Sequence, residues 1–158
     1  MLRNPIVPLK LLTVENILDI NKELKEDSLR DPKIEYSGIE DYPVQIYKIK
    51  ALVKNVPIHR PIFELAAYYL KNIILLQAFP DGNHRTALYA SELFLNLNGY
   101  SFDYTPEKAY EFRKELYNRR LREYKTYEER PICILKEKDN QTFSLCLEFV
   151  MMHSAEST

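Results

Sequence analysis

The chain has 158 residues, of which 46% are apolar and 28% are charged, and its formal net charge is −1 at pH 7. This length predicts one domain with one substantial core, and the near-neutral charge excludes a general attraction to nucleic acid or to an anionic membrane. The apolar runs are too short to span a bilayer, and we expect no signal peptide at the N-terminus.

The first third of the chain contains two helical patterns separated by a polar loop. Thr13 is suited to cap a helix, and apolar residues recur after it at helical spacing to about residue 29. Residues 30–41 include a proline, a glycine and several charges, which predicts a loop. Within it, the alternation Lys33-Ile34-Glu35-Tyr36 could form a short extended segment. A second helix is predicted from about Tyr42 to Asn55, with inward residues Val44, Tyr47, Ala51 and Leu52.

The middle of the chain predicts the centre of a helical bundle. Residues 62–76 are apolar on nearly every side, as in a helix that is buried all round. This helix should end near Gln77, because Pro80 disfavours helical geometry at the residue before it. The next helix should begin near Asn83 and carry a stripe of Ala87, Ala90, Phe94 and Leu97, with Gly99 suited to end it.

The last third predicts one clear helix and one ambiguous segment. Thr105-Pro106-Glu107 is a strong helix start, and this helix should run to about Tyr124. Asn140 could cap a final helix through Met152, but residues 142–150 could also form a strand. The predicted fold class is therefore all-α, with a single domain over residues 1–158. Its core would cover about 12–123, and residues 124–158 would form a C-terminal extension.

Composition adds two expectations. The chain has three glycines, whereas average usage of about 7% would give roughly eleven, so long helices are favoured over tight hairpins. Two cysteines, Cys133 and Cys146, are too few for a disulfide framework. A reduced cytoplasm is the expected location.

The loop before the fourth predicted helix concentrates residues that suit a phosphate group. The first N–H groups of a helix lack intrahelical partners and favour anions, and Gly82 lets a ligand approach the backbone. Asn83 adds an amide, and Arg85 adds a forked cation. The Asp81 carboxylate, with phosphate oxygens and waters, would suit Mg²⁺. The alternative is an ordinary loop, in which Asp81 only caps the helix and Arg85 is solvated.

The residues Phe79-Pro-Asp-Gly-Asn-His-Arg-Thr-Ala-Leu88 resemble the Fic/Doc family, and within it the death-on-curing branch. The family pattern is His-x-Phe-x-[Asp/Glu]-[Gly/Ala]-Asn-[Gly/Lys]-Arg, and the resemblance covers about residues 12–123. It implies a Fic/Doc-like helical bundle. Leu88 replaces a second Arg of AMP-transferring members, which points to the death-on-curing branch.

The resemblance also implies an activity and a site. Family members transfer AMP or phosphate, usually from ATP with Mg²⁺, to a Ser, Thr or Tyr hydroxyl of a protein. It implies that Asp81 binds Mg²⁺, that Gly82 and Asn83 form an anion hole, and that Arg85 grips phosphate. His84 is also expected among the phosphate-binding residues, at a position where the death-on-curing branch usually has Lys and Fic members have Gly. It should be neutral at pH 7 unless a phosphate raises its pKa. Phe79 should anchor the loop in the core.

Gln77 departs from the family pattern, which has a His that takes the proton from the attacking hydroxyl. A Gln amide cannot act as a base near pH 7, and a general base contributes about 10²–10⁴-fold. Catalysis should therefore be impaired or altered. The alternative is a non-catalytic protein-interaction module, or a toxin-like partner of an antitoxin.

Other expectations concern partners. The segment Lys33 to Tyr36 could form a flap that aligns a target peptide by strand addition. An antitoxin or a second copy of the chain could be a partner, whereas a membrane is not expected. His59 is expected to lie in a surface loop. Nucleic acid is an unlikely partner, because acidic residues interrupt the basic run of Arg113, Lys114, Arg119, Arg120, Arg122 and Lys125.

Overall fold

Helices account for most of the residues that the computed structural model describes, which are 8–37, 43–125 and 129–158. The prediction of an all-α fold is confirmed. The α-helices are α1 Val14–Arg30, α2 Ile46–Lys54, α3 Ile62–Leu76, α4 Asn83–Leu97, α5 Pro106–Tyr124 and α6 Gln141–His153. Between α5 and α6 lies a 3-10 helix, Ile132–Lys136, and two short strands are β1 Tyr100–Phe102 and β2 Ser154–Glu156.

The α3 helix is the centre of the molecule, as its apolar sequence predicts. Every residue from Leu65 to Leu76 is buried, and α3 packs most extensively against α4 and α6. From α6, Cys146 and Val150 are completely buried in the same core. Residues of the predicted C-terminal extension therefore complete the core around α3.

Three helix starts are fixed by side-chain caps that the sequence indicates. Thr13 and Asn16 form a reciprocal capping box at α1. At α5, the Thr105 hydroxyl accepts from Lys108 N at 3.1 Å. At α6, Asn140 Oδ1 accepts from Phe143 N at 2.9 Å. The alternative of a strand over residues 142–150 is therefore wrong, and the helical alternative is confirmed.

The prediction for α2 is wrong at its start and in one inward residue. The helix begins at Ile46, and residue 42 lies outside the described residues. Before the helix, Gln45 N donates to Ala78 O at 2.8 Å, which ties this segment to the loop after α3. Tyr47 is 58% exposed, because the buried face of α2 consists of Lys48, Ile49 and Leu52. A lysine on the buried face conceals that face from a hydrophobicity pattern.

The two strands and the end of α4 were not fully anticipated. β1 and β2 pair in antiparallel fashion, with Tyr100 opposite Glu156. Gly99 has φ +90°, which suits its predicted role after the end of α4. Leu97 is 38% exposed rather than buried.

Both cysteines are free, as expected. No helix among the described residues is long and apolar enough to cross a membrane.

Residues 33–36, predicted as a short extended segment, form a turn that leads into irregular chain. Ile34 N donates to Asp31 O at 3.0 Å, which closes the turn, and no strand is present in residues 31–37. The possible extended segment forms no strand here, and side-chain contacts hold this part of the chain to α1 and to the loop before α4. Residues 38–41 of the predicted loop lie outside the described residues.

Candidate functional site

Gln77 ends α3 and is oriented by the helix itself. It adopts a left-handed conformation with φ +50°, and its side-chain Nε2 donates to Ile74 O at 2.8 Å. Its Oε1 accepts from Asn83 Nδ2 at 3.3 Å. The amide therefore caps one helix and contacts the first residue of the next.

Asn83 fastens the loop between α3 and α4. Its Oδ1 accepts from Phe79 N at 3.0 Å, and its Nδ2 donates to Phe79 O at 2.9 Å. Phe79 is 3% exposed, so the predicted anchoring of the loop in the core is present. Because these bonds engage the Asn83 side chain, only its backbone N–H is suited to an anion at the helix terminus.

Gly82 leaves the N-terminus of α4 open. Its φ is +71°, a backbone conformation that residues other than glycine rarely adopt. An added Cβ would lie 3.3 Å from Asn21 Nδ2 and 3.6 Å from Arg85 Nη2. Among the described residues, no side chain caps this helix. The first N–H groups of α4 and the adjacent guanidinium therefore frame a space that a Cβ would fill.

Asp81 accepts hydrogen bonds on both carboxylate oxygens. Oδ2 accepts from Ser37 N at 2.6 Å and from Ser37 Oγ at 3.1 Å, and Oδ1 accepts from Gly82 N at 2.7 Å. Burial raises the pKa of Asp81, but these hydrogen bonds and the charge of Arg85 outweigh that effect and lower it below the ordinary value. The carboxylate is therefore ionised at neutral pH.

Asn21 is a residue of this site that the sequence reasoning missed. It lies on α1 and is 4% exposed; its Nδ2 donates to Asp81 O at 2.9 Å and to Thr86 Oγ1 at 3.1 Å. Its Oδ1 accepts from the Tyr36 hydroxyl at 3.0 Å. A signal was available, because Asn21 falls at helical spacing between the buried Ile17 and Leu24. A polar residue in an apolar stripe indicates a specific buried partner.

Asp81 and Arg85 line one cleft of about 870 Å³ between α1, α4 and the segment after α1. Arg85 makes no hydrogen bond or ion pair with another described residue, so its guanidinium can accept an external anion. The described lining contains five carboxylates and three cations. The carboxylates are Glu23, Asp27, Glu35, Asp81 and Glu92, and the cations are Lys33, Arg85 and Arg113. A polyphosphate would need a counter-cation to enter such a cleft.

His84 is directed away from this cleft. Its ring lies 5.6 Å from the ring of Phe112 on α5, and its Nε2 is buried without a hydrogen-bond partner among the described residues. Burial, together with the positive charge of Arg113, lowers the pKa of His84 to about 3. The imidazole is neutral at pH 7, in agreement with expectation, but it is not grouped with Asp81 and Arg85.

The donor set fits a magnesium ion that arrives with phosphate. Among the described residues, no group of three or more His, Cys, Asp or Glu side chains could hold a metal. Mg²⁺ is commonly bound by one or two carboxylates together with substrate phosphates and water. The ionised Asp81 beside the open terminus of α4 meets that requirement.

The remaining predicted residues lie partly at this cleft and partly elsewhere. Lys33, Ile34 and Glu35 line the same cleft. The Tyr36 hydroxyl donates to Asn21, which in turn donates to Asp81 O. His59 is exposed and lines a different pocket.

The basic run on α5 does not form one surface. Arg120 is completely buried, and Arg119 and Arg122 both pair with Glu115, at 3.0 and 3.6 Å.

Comparison with known proteins gives a family for the chain. The family model for the Fic/DOC family matches residues 11–95, which is more than half of the chain and includes α1 to most of α4. No curated protein and no solved structure gave a match. The matched region contains the loop that joins α3 to α4, including Asp81, Gly82, Asn83 and Arg85. The chain is a member of the Fic/DOC family.

Proposed function

We propose that the cleft binds ATP or a related nucleotide with Mg²⁺, and that the domain is related in function to enzymes that transfer AMP or phosphate to a protein hydroxyl. The observation that carries the proposal is the open N-terminus of α4, where Gly82 has a positive φ and Arg85 lies beside it without a hydrogen bond or salt bridge to another described residue. Family membership adds support, because the resemblance of residues 79–88 implies the same site.

Each residue has a distinct part in this proposal. The backbone N–H groups at Gly82 and Asn83 would bind phosphate oxygens, for which Gly82 N would exchange its hydrogen bond to Asp81 Oδ1. Arg85 would add a permanent positive charge. Asp81 would hold Mg²⁺, which supplies charge neutralisation of the phosphates when bound. For that, the two hydrogen bonds from Ser37 to Asp81 Oδ2 would have to be exchanged for the ion.

Gln77 limits what catalysis the site could perform. Its amide can orient a hydroxyl but cannot take its proton near neutral pH. Its Nε2 is already bonded to Ile74 O, so reorientation would break a helix cap. We therefore expect transfer that is slow or altered, since positioning and charge stabilisation carry much of phosphoryl transfer.

Nucleotide binding is the first test. Calorimetric titration of the full chain with ATP and Mg²⁺ should give saturable binding at up to millimolar concentration. Arg85→Ala should weaken it about tenfold or more, because a charge-assisted hydrogen bond is lost. Lys22→Ala, which removes an exposed cation of α1 outside the cleft, should leave binding unchanged. No binding at millimolar ATP would overturn the proposal.

Transfer is tested separately with ATP labelled at the α or the γ phosphate, incubated with a cell lysate. Label that appears only with Gln77→His would indicate a dormant site, and the labelled position would identify the group that moves. Label from the native chain that is lost in Arg85→Ala would indicate that Gln77 suffices.

The second candidate is a non-catalytic interaction module, including a toxin-like partner of an antitoxin. The hydrogen bonds of Gln77 favour this candidate. Its amide already stabilises the loop, and it cannot take a proton as the His of the family pattern does. This candidate predicts a stable complex with a protein partner that persists in Arg85→Ala. A complex that forms only with nucleotide present would exclude it.

A further inference from the structure

A second pocket, here called the α3 pocket, lies apart from the cleft that contains Asp81. It has a volume of about 410 Å³ and is enclosed by the connection before α3, by α3 itself, by the 3-10 helix and by the start of α6. None of the described residues lines both cavities. Its volume lies within the range of about 300–1,000 Å³ that is usual for small-molecule sites.

Lys71 is the unusual feature of this pocket. It lies on α3 and lines the pocket, although it is only 4% exposed. Among the described residues it makes no hydrogen bond or ion pair. Burial of an ammonium group without a counter-charge is unfavourable. Among the described residues the ammonium group therefore has no directly bonded partner, and the pocket beside it has room for one.

The nearby carboxylate of Asp139 does not meet this need. Arg60 donates to it from both guanidinium Nη atoms, one at 3.0 Å, and Arg60 also pairs with Glu64 at 2.9 Å. The pKa of Asp139 is lowered first by Arg60, with Lys71 contributing only a weaker long-range charge. The Asp139 carboxylate is thus committed to Arg60, and the other carboxylate of the lining, Glu137, is exposed and accepts from the Tyr124 hydroxyl at 3.0 Å.

Asn72, the next residue of α3, provides a second unmet requirement. Its Nδ2 donates to Tyr68 O at 2.9 Å, which fixes the orientation of the amide. Its Oδ1 is buried and has no hydrogen-bond partner among the described residues. Buried acceptors of this kind are normally satisfied by protein, water or ligand.

We propose that the α3 pocket binds a small oxyanion that carries its own hydroxyl donor, a protonated phosphate group being the simplest. Its charged oxygens pair with Lys71, and its O–H donates to Asn72 Oδ1. The exposed Lys136 and Lys138 at the rim attract such an anion. This proposal is independent of the function proposed for the Asp81 cleft.

The test is an NMR titration of the full chain with inorganic phosphate and, separately, with sulfate. Phosphate near neutral pH retains a hydroxyl, whereas sulfate has none, so sulfate should bind about tenfold more weakly. Phosphate should shift the signals of the Asn72 side chain and of Phe143, which lines the pocket. These shifts should persist in Arg85→Ala, which separates this pocket from the Asp81 cleft.

Substitution of Lys71 gives the decisive comparison. Lys71→Met should weaken phosphate binding at these signals about tenfold or more, Lys71→Arg should retain it, and Lys50→Met on the exposed face of α2 should leave it unchanged. Lys71→Met should also raise the melting temperature, which verifies folding, because it removes a buried unpaired charge. Phosphate shifts confined to the start of α4, or unchanged in Lys71→Met, would overturn the proposal. Equal affinity for sulfate would overturn the contribution of Asn72.

Discussion

The two helix ends that meet at the loop of residues 77–82 are treated differently by the rest of the chain. The last three carbonyls of α3 and the carbonyl of its C-cap, Gln77, all receive donors from outside the regular helix, at distances between 2.6 and 3.4 Å. The pairs are Ile74 with the Gln77 side chain, Leu75 with Arg130 N, Leu76 with Lys48 Nζ and Gln77 with the Gln45 side chain. By contrast, no side chain among the described residues caps the start of α4.

This difference indicates where a ligand can bind. The last carbonyl groups of α3 and the first N–H groups of α4 both lack partners within their own helices, and they have opposite polarity. The carbonyl end of α3 is closed by the chain, with the buried cation of Lys48 placed at the negative end of the dipole. The amide end of α4 remains available, with Arg85 beside it. The hydrogen bonds at the closed end fix the position of the loop that leads into the open end.

The largest expected effect comes from breaking the link between the two ends. Asn83→Ala removes both hydrogen bonds to Phe79 and the contact with Gln77. Since two buried backbone groups lose their partners, the free energy of unfolding should fall by about 3 kcal/mol. Urea unfolding measures this, with Asn96→Ala, exposed near the other end of α4, as a control that should lose less than about 0.5 kcal/mol. Equal losses would show that the loop is not held by Asn83.

Opening the closed end should have the next largest effect. Lys48→Met keeps the buried stem but removes the donor to Leu76 O at 2.6 Å and to Glu129 at 2.8 Å. We expect a loss of about 2 kcal/mol in unfolding free energy, because a buried carbonyl loses its partner. Lys50→Met, an exposed lysine of the same helix, is the matched control. An unchanged stability of Lys48→Met would mean that the carbonyl end is satisfied without Lys48.

The third prediction concerns pH and the second residue of α4. The pKa of His84 is lowered to about 3 in the fold, so on acidification the unfolded chain takes up this proton first and stability falls. The sign is therefore a loss of stability below about pH 6.5, amounting to about 2 kcal/mol at about pH 5 from this group alone. His84→Phe keeps a ring against Phe112 and should remove that part of the slope. Urea unfolding at about pH 6.5 and at about pH 5 measures this loss of stability, with His59→Phe as the control. The same loss in native and His84→Phe protein would contradict the lowered pKa of His84.

The smallest expected effect concerns the cover of the open end. Ser37→Ala removes one of the two hydrogen bonds to Asp81 Oδ2 and keeps the backbone bond. The unfolding free energy should fall by only about 0.5 kcal/mol. If Mg²⁺ replaces Ser37 at this carboxylate, loss of the Ser37 hydroxyl should make Mg²⁺ bind more easily. The Mg²⁺ concentration that gives half-maximal nucleotide binding should then fall by about twofold. Ser28→Ala on α1 is the control, and weaker Mg²⁺ dependence in Ser37→Ala would contradict the exchange.

The sequence predicts the helices well where local chemistry and packing agree. The apolar α3, the capped starts at Thr13 and Thr105, and the stop near Gln77 follow from periodicity, caps and Pro80. In α2, the inward position of Tyr47 was predicted wrongly because the buried face of this helix includes Lys48. Hydrophobicity cannot reveal that a lysine is buried when its partners, Leu76 O and Glu129, are distant in sequence.

In the candidate site, too, the sequence indicates the residues of the local motif but not the contacts between distant parts of the chain. The motif indicates Asp81, Gly82 and Arg85, and the structure brings these residues to one end of α4. It does not group His84 with them, because packing against Phe112 directs the ring elsewhere. Asn21 and Ser37 contact Asp81 through a chain separation of 60 and 44 residues. No local pattern contains such contacts.

The sequence by itself determined an all-α chain, the position of its central helix and the polar loop after it, because caps, periodicity and proline act over a few residues. It also determined the family, through an ordered run of residues in that loop. Only the tertiary structure decided which side chains remain unsatisfied. Lys71 and Asn72 are ordinary polar residues in the sequence, and they acquire unmet needs only because α3 is buried among the helices around it.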